Sequence, residues 1–219
     1  MRDISRTETR PEYGTLARSL VAHLITSGVP GRHRAVIGVA GESGSGKSVT
    51  ATSLARALCN AGSPAVVLHQ DDYFVLPPRA NHAARELDMG RVGPGEVNLT
   101  LLQSHVAAYR AGSAGLDAPT VDYAEDRFAT QRVAFGDVRV LVVEGTYVLG
   151  LEGLDTRIFL EASYVDTQDR RRARARDTDS PFVEQVLAIE HQVIARQAAL
   201  ADLLVDTHFT VRPAAKRDA

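Results

Sequence analysis

Eight consecutive residues, Gly41-Glu42-Ser43-Gly44-Ser45-Gly46-Lys47-Ser48, combine the types that grip a polyphosphate. The glycines let a backbone turn tightly enough to point its N–H groups inward, and the lysine and hydroxyl supply a cation and a metal ligand. The spacing Gly41-x4-Gly46-Lys47-Ser48 is the Walker A pattern. Lys47 would neutralise β- and γ-phosphate charge and Ser48 would bind Mg2+, while the start of a helix near Gly46 adds its positive dipole end. The nucleotide contacts expected are Gly41, Ser43, Gly44, Ser45, Gly46, Lys47, Ser48 and Val49. Lys47 and Lys216 are the only lysines in an arginine-rich chain. A compact ammonium fits between phosphate oxygens where a planar guanidinium does not.

Further chemistry follows two other apolar runs. His69-Gln70-Asp71-Asp72-Tyr73-Phe74 places paired carboxylates where they could take the proton of a substrate hydroxyl, and the sequence allows Asp71 and Asp72 to be exchanged in that role. Val140 to Leu149 carries Glu144-Gly145. The arginine-rich stretch from Asp169 to Asp177 sets Arg170 with Arg174, and Arg172 with Arg176, on shared faces of a helix. Such a face could meet phosphates, or be a solvated or nucleic-acid-binding one.

The elements needed to position these groups are legible as periodicities. A leading helix is expected at about residues 15–27, then a buried strand Ala35 to Ala40, the glycine-rich loop, and a helix from Val49 to Ala61. Ala65 to Leu68, Val138 to Val143 and Arg157 to Leu160 read as further buried strands, and Leu203 to Val211 as a last one. Helices are expected over Val97 to Tyr109, about Asp166 to Arg176, and Phe182 to about Leu200. Ala118 to Val133 reads as irregular. Strands alternating with helices imply an α/β fold, a mainly parallel sheet with helices on both faces in three layers, whose ligands collect beyond the carboxyl ends of the strands.

At 219 residues one domain spanning the chain is expected. The net charge of -2 gives no reason to expect a nucleic acid or an anionic membrane as partner, so a small molecule is favoured. No apolar run reaches membrane-spanning length and the first ten residues are polar, so the protein is expected to be cytoplasmic. Its sheet edges and apolar helices permit a homodimer. Cys59, the single cysteine, is expected in the core, and the seven histidines show no metal-ligand spacing.

From about Ala35 to Val211 the chain resembles the uridine kinase, phosphoribulokinase and bacterial pantothenate kinase group of P-loop kinases. The glycine-rich loop is close to the form used there. Gln70-Asp71-Asp72-Tyr73-Phe74 is similar to the group's Asp-x-Phe-Tyr stretch, which implies Asp71 as catalytic aspartate and Phe74 on the substrate side. Pro119-Thr120-Val121-Asp122-Tyr123 resembles a segment lining the acceptor pocket. Val140 to Leu149 looks like the strand ending in Glu-Gly, which implies Glu144 in the magnesium shell and Gly145 leaving room beside the phosphates. The arginine helix and the lid near 170–182 correspond to elements that clamp phosphates, through Arg172 and Arg176.

The resemblance implies the fold of P-loop nucleoside triphosphate hydrolases, ATP with Mg2+, and transfer of a phosphoryl group to an alcohol. It departs at the acceptor. Arg91-Val92-Gly93-Pro94-Gly95 lacks the aspartate and histidine that read a nucleoside, Val121 replaces a tyrosine, and Glu125 and Asp126 stand where a histidine is used. Tyr123, Asp122, Arg127 and Arg91 are the remaining candidates to face an acceptor. The rival readings are a regulatory module that binds nucleotide, and an ATPase directed by nucleic acid.

Overall fold

The computed structural model describes residues 10–169 and 180–215. Six strands form the main sheet: β1 Ala35–Gly41, β2 Ala65–His69, β5 Val140–Gly145, β6 Thr156–Leu160, β7 Leu203–Val205 and β8 Val211–Pro213. Their order is β2-β5-β1-β6-β7-β8, parallel throughout except for the antiparallel edge strand β8. A separate antiparallel pair joins β3 Gly115–Asp122 to β4 Arg127–Ala134. The helices are α1 Pro11–Thr26, α2 Lys47–Asn60, α3 Pro78–Leu87, α4 Leu99–Arg110 and α5 Pro181–Ile194. None of the described helices is long and apolar enough to cross a membrane.

Every residue of β1 is buried, as its unbroken apolar run requires when both faces of a sheet are covered. Alternate side chains feed two cores. Ile37, Val39, Val140, Val142 and Ile158 pack with Leu20, Leu24, Leu54 and Leu58 of α1 and α2. Val36, Leu141, Val143 and Phe159 point the other way, into Leu102, Val106 and Tyr109 of α4 and Leu116, Ala118 and Val133 of the hairpin. The result is the α/β layering expected from the alternation of elements, with burial of each large side chain contributing about 1.5–3 kcal/mol.

The start of β6 is fixed from outside by Asp155. Its Oδ2 accepts from the Val36 N–H and from Arg110, each at 2.8 Å, and its Oδ1 accepts from Arg32 at 3.0 Å. Burial would raise this carboxyl, but the Val36 bond and the two guanidiniums hold it below the ordinary aspartate range.

Four expectations are corrected. The stretch Ala118 to Val133 is not irregular but most of the β3–β4 hairpin. Leu116, Ala118 and Val133 are buried on one face but Val121 falls out of that alternation, and Pro119 masked the strand pattern. Leu203 to Val211 is two strands, because Asp206 Oδ1 accepts from the N–H groups of His208 and Thr210 and turns the chain. Cys59 is exposed rather than in the core. The helix expected from Phe182 to Leu200 begins at Pro181 and tightens to a 3-10 segment, Ala195–Leu200. Helix α3 was not anticipated, since none of its residues is buried and its apolar side is mostly alanine. Most of the expected arginine helix lies outside the described residues.

Candidate active site

Strand β1 delivers Gly41 to the carboxyl edge of the sheet, and α2 begins at Lys47, so the glycine-rich loop spans the gap between them. Gly46 caps α2 in the left-handed region at φ 94°, and a Cβ there would strike the Tyr13 ring and hydroxyl of α1. At Gly41 a Cβ would sit 2.7 Å from Ser45 Oγ. Ser45 Oγ is itself buried without a hydrogen-bond partner among the described residues.

Glu42, which sequence reasoning left without a role, fastens this loop to the rest of the molecule. It is 5% exposed, and its carboxylate accepts from His191 Nδ1 of α5 and from the Tyr164 N–H, both at 2.7 Å. Thr167 Oγ1 donates to the Ser43 carbonyl at 2.9 Å. His191 stands 149 positions from Glu42, so no local pattern announces the pair.

Glu144, next to last in β5, is in register with His69 of β2 and Val39 of β1. It is 1% exposed. Oε1 bonds His69 Nδ1 at 2.7 Å, and Oε2 has no hydrogen-bond partner among the described residues. Burial would raise this carboxyl, but the His69 bond and charge, the Lys47 ammonium and the nearby Ser48 hydroxyl hold it low and ionised. A buried carboxylate with one uncommitted oxygen, beside a serine hydroxyl, suits a hard divalent cation.

The acidic pair lies in a 3-10 turn, Gln70–Tyr73. Fully buried Gln70 clamps the turn: its Nε2 donates to Thr146 Oγ1 at 2.9 Å and its Oε1 accepts from the Tyr147 N–H at 2.7 Å. Gly145 makes room for this side chain, because a Cβ at 145 would collide with Gln70. The clamp separates the two carboxylates. Asp72 is buried, and its Oδ1 accepts from the Val121 N–H at 2.9 Å, joining the turn to β3. Asp71 is partly exposed and lines a cavity of about 280 Å³ that reaches Ser43 and Lys47.

Phe74, Val121, Tyr123 and Thr146 also line this cavity. Two helices complete it, α3 with Asn81, His82 and Arg85, and α5 with Phe182, Val186, Leu187 and Glu190. Arg85 joins them: its Nε and Nη2 donate to the two oxygens of Glu96 at 2.5 and 2.9 Å, and Nη2 donates to Glu190 Oε1 at 2.9 Å. Asn81 Nδ2 donates to Glu96 as well, at 2.9 Å. Burial pushes the Glu190 carboxyl up against the pull of Arg85 and Lys47. Sequence reasoning missed the α3 side of this wall, where no residue is buried, and on the other side expected the helix but not the part played by Glu190.

Of the other expected acceptor residues, Arg91 and Arg127 are exposed and do not line the cavity. Asp122 caps the hairpin turn through the N–H groups of Ala124 and Glu125, and stands 3.9 Å from Arg127. Arg172 and Arg176 lie outside the described residues.

A strand, a glycine-rich loop with its lysine and a following helix, opening on a cavity that also holds a carboxylate, define a P-loop kinase. The pattern of the Phosphoribulokinase / Uridine kinase family matches residues 36–180, and the chain belongs to that family. It is 28% identical over 187 residues to the bifunctional alpha-galactosidase/sucrose kinase AgaSK of Mediterraneibacter gnavus, a match covering 79% of this chain and 20% of that protein. Over 184 residues it is 28% identical to a uridine kinase of Staphylococcus haemolyticus, covering 78% of this chain and 86% of the relative. A crystal structure attributed to a fructose transport system kinase from Silicibacter sp. TM1040 superimposes with a TM-score of 0.61 at 25% identity, covering 86% of this chain and 94% of the other.

Proposed function

We propose that the chain transfers the γ-phosphoryl group of MgATP to a hydroxyl of a small metabolite, with Asp71 accepting the proton. The observation that carries this reading is that one cavity is lined by both Lys47 and Asp71, whereas Asp72 is turned away into a structural bond. The backbone from Gly41 to Val49 cradles the phosphates, and Ser45 Oγ, which has no hydrogen-bond partner among the described residues, is free to join it. Lys47 neutralises charge on the transferring group.

Ser48 and Glu144 would hold Mg2+, which when bound offsets the charge of the β- and γ-phosphate oxygens. His69 keeps Glu144 ionised and oriented for that task. Phe74 and Tyr123 border the acceptor, and Arg172 and Arg176 are proposed to reach the phosphates from the segment after residue 169. A cytoplasmic location is proposed with this reading, since ATP is abundant there.

Acceptor-dependent ADP release by wild type and by Asp71→Asn tests the reading. Loss of about 10²–10⁴ in kcat with ATP affinity retained is expected for removal of a general base. Equal turnover by the two proteins would remove Asp71 from the chemistry. ADP release that needs no acceptor would point to an ATPase or a regulatory module.

A further inference from the structure

The phosphate loop carries a carboxylate of its own. Glu42, its second residue, is 5% exposed, in a loop that is proposed to receive a polyphosphate. A carboxylate so placed opposes an anionic ligand unless a donor holds it and offsets its charge. The donors come from two segments that follow β6. Oε2 accepts from the Tyr164 N–H and Oε1 from His191 Nδ1, both at 2.7 Å. On the same side, Thr167 Oγ1 donates to the carbonyl of Ser43, the next residue of the loop, at 2.9 Å. The His191 ring is set in turn by an edge-on contact with Tyr164, their ring centres 5.7 Å apart.

Of these donors only His191 belongs to a helix that also lines the cavity. Glu190, the residue before it, faces the cavity and accepts from Arg85 of α3 at 2.9 Å. Successive side chains of a helix point about 100° apart, so a single turn of α5 grips the phosphate loop with one residue and the α3 wall with its neighbour. His191 itself does not line the cavity, and it lies beyond residues 36–180, the part of the chain that matches the family pattern.

Resting on the kinase reading above, we infer that His191 is a positioning residue for the phosphoryl donor, acting through Glu42 on the shape of the phosphate loop. Its N–H ties the carboxylate to α5, which fixes the first half of the loop and offsets charge that would oppose the phosphates. Without that bond the Glu42 side chain keeps only the Tyr164 N–H among the described residues. The nucleotide must then order the loop at its own expense on binding.

The experiment is calorimetric binding of MgADP to the full chain, with thermal unfolding of the same samples. His191→Phe keeps a ring against Tyr164 but has no donor, whereas His191→Asn places an amide N–H close to where Nδ1 stands. The His191 side chain is 44% exposed, so neither change opens the core. His191→Phe is expected to raise the Kd for MgADP about tenfold, the scale of a lost hydrogen bond to a charged group. His191→Asn is expected to return it to within about threefold of wild type. In a Glu42→Ala background, His191→Phe should leave the affinity unchanged, because the group it positions is gone.

A lower melting temperature for His191→Phe with an unchanged Kd would make the residue a prop for α5 alone and overturn the inference. Equal affinities in the two His191 variants, or a tenfold penalty that persists beside Glu42→Ala, overturn it as well. Each of these leaves the kinase reading standing. A wild-type chain that does not bind MgADP removes that reading, and the inference with it. The two His191 variants decide the matter even if Glu42→Ala does not fold.

Discussion

The donor and acceptor halves proposed for the site are built on different terms. On the donor side one short segment, Gly41 to Ser48, supplies nearly everything, and a sheet buried on both faces holds it. Its remaining part, Glu144, arrives from the adjacent strand in fixed register. On the acceptor side the wall is gathered from the turn after β2, from α3, from the β3–β4 hairpin and from α5. It is joined by single bonds such as Asp72 to Val121 and Arg85 to Glu190. A backbone cradle for phosphates tolerates little variation, whereas a wall pinned by a few side chains can be rebuilt for another acceptor while the sheet stays the same.

The comparison can be broken most severely at Lys47. Lys47→Ala should lower kcat by about 10³-fold, since the proposed reading sets its charge against the transferring group. Thermal unfolding should change little, and steady-state ADP release beside a melting curve checks both.

Asp72→Ala should behave in the opposite manner. It leaves the buried Val121 N–H without its acceptor, so stability should fall by about 1–3 kcal/mol by denaturant unfolding, while the folded protein still turns over. Parallel loss of activity and stability at Asp71 and Asp72 would mean that the two carboxylates are not separated in role.

The smallest effect is expected at Asp155, remote from either half. Its folded carboxyl is depressed, so the stability it contributes is present above the unfolded value of about 3.9 and is lost as pH falls through the lower folded value. The melting difference between wild type and Asp155→Asn should therefore be constant from pH 7 to about pH 5 and shrink below about pH 4. A difference that grows towards acid would contradict the assigned network.

How much could be read beforehand follows the same division. The strand, loop and helix around Lys47 are contiguous, so spacing alone located them, and the resemblance pointed to Asp71 and Glu144. Arg85, Glu96 and Glu190 were illegible because α3 buries none of its residues and because Arg85 and Glu190 meet across 105 positions. Arg91 and Arg127 were plausible by charge alone, yet solvent, or Asp122, is their surrounding. Asp71 and Asp72 were interchangeable as letters. Only the Gln70 clamp and the Val121 N–H distinguish them.

That distinction is where the account is most exposed. The decisive measurement is single-turnover phosphoryl transfer from MgATP by Asp71→Asn, using the best acceptor found for wild type, with nucleotide affinity measured by calorimetry on the same sample. A rate lower by about 10²–10⁴ with unchanged nucleotide affinity is the expected result for a general base facing the cavity. Transfer at the wild-type rate would contradict it, and would move the proton acceptor away from Asp71.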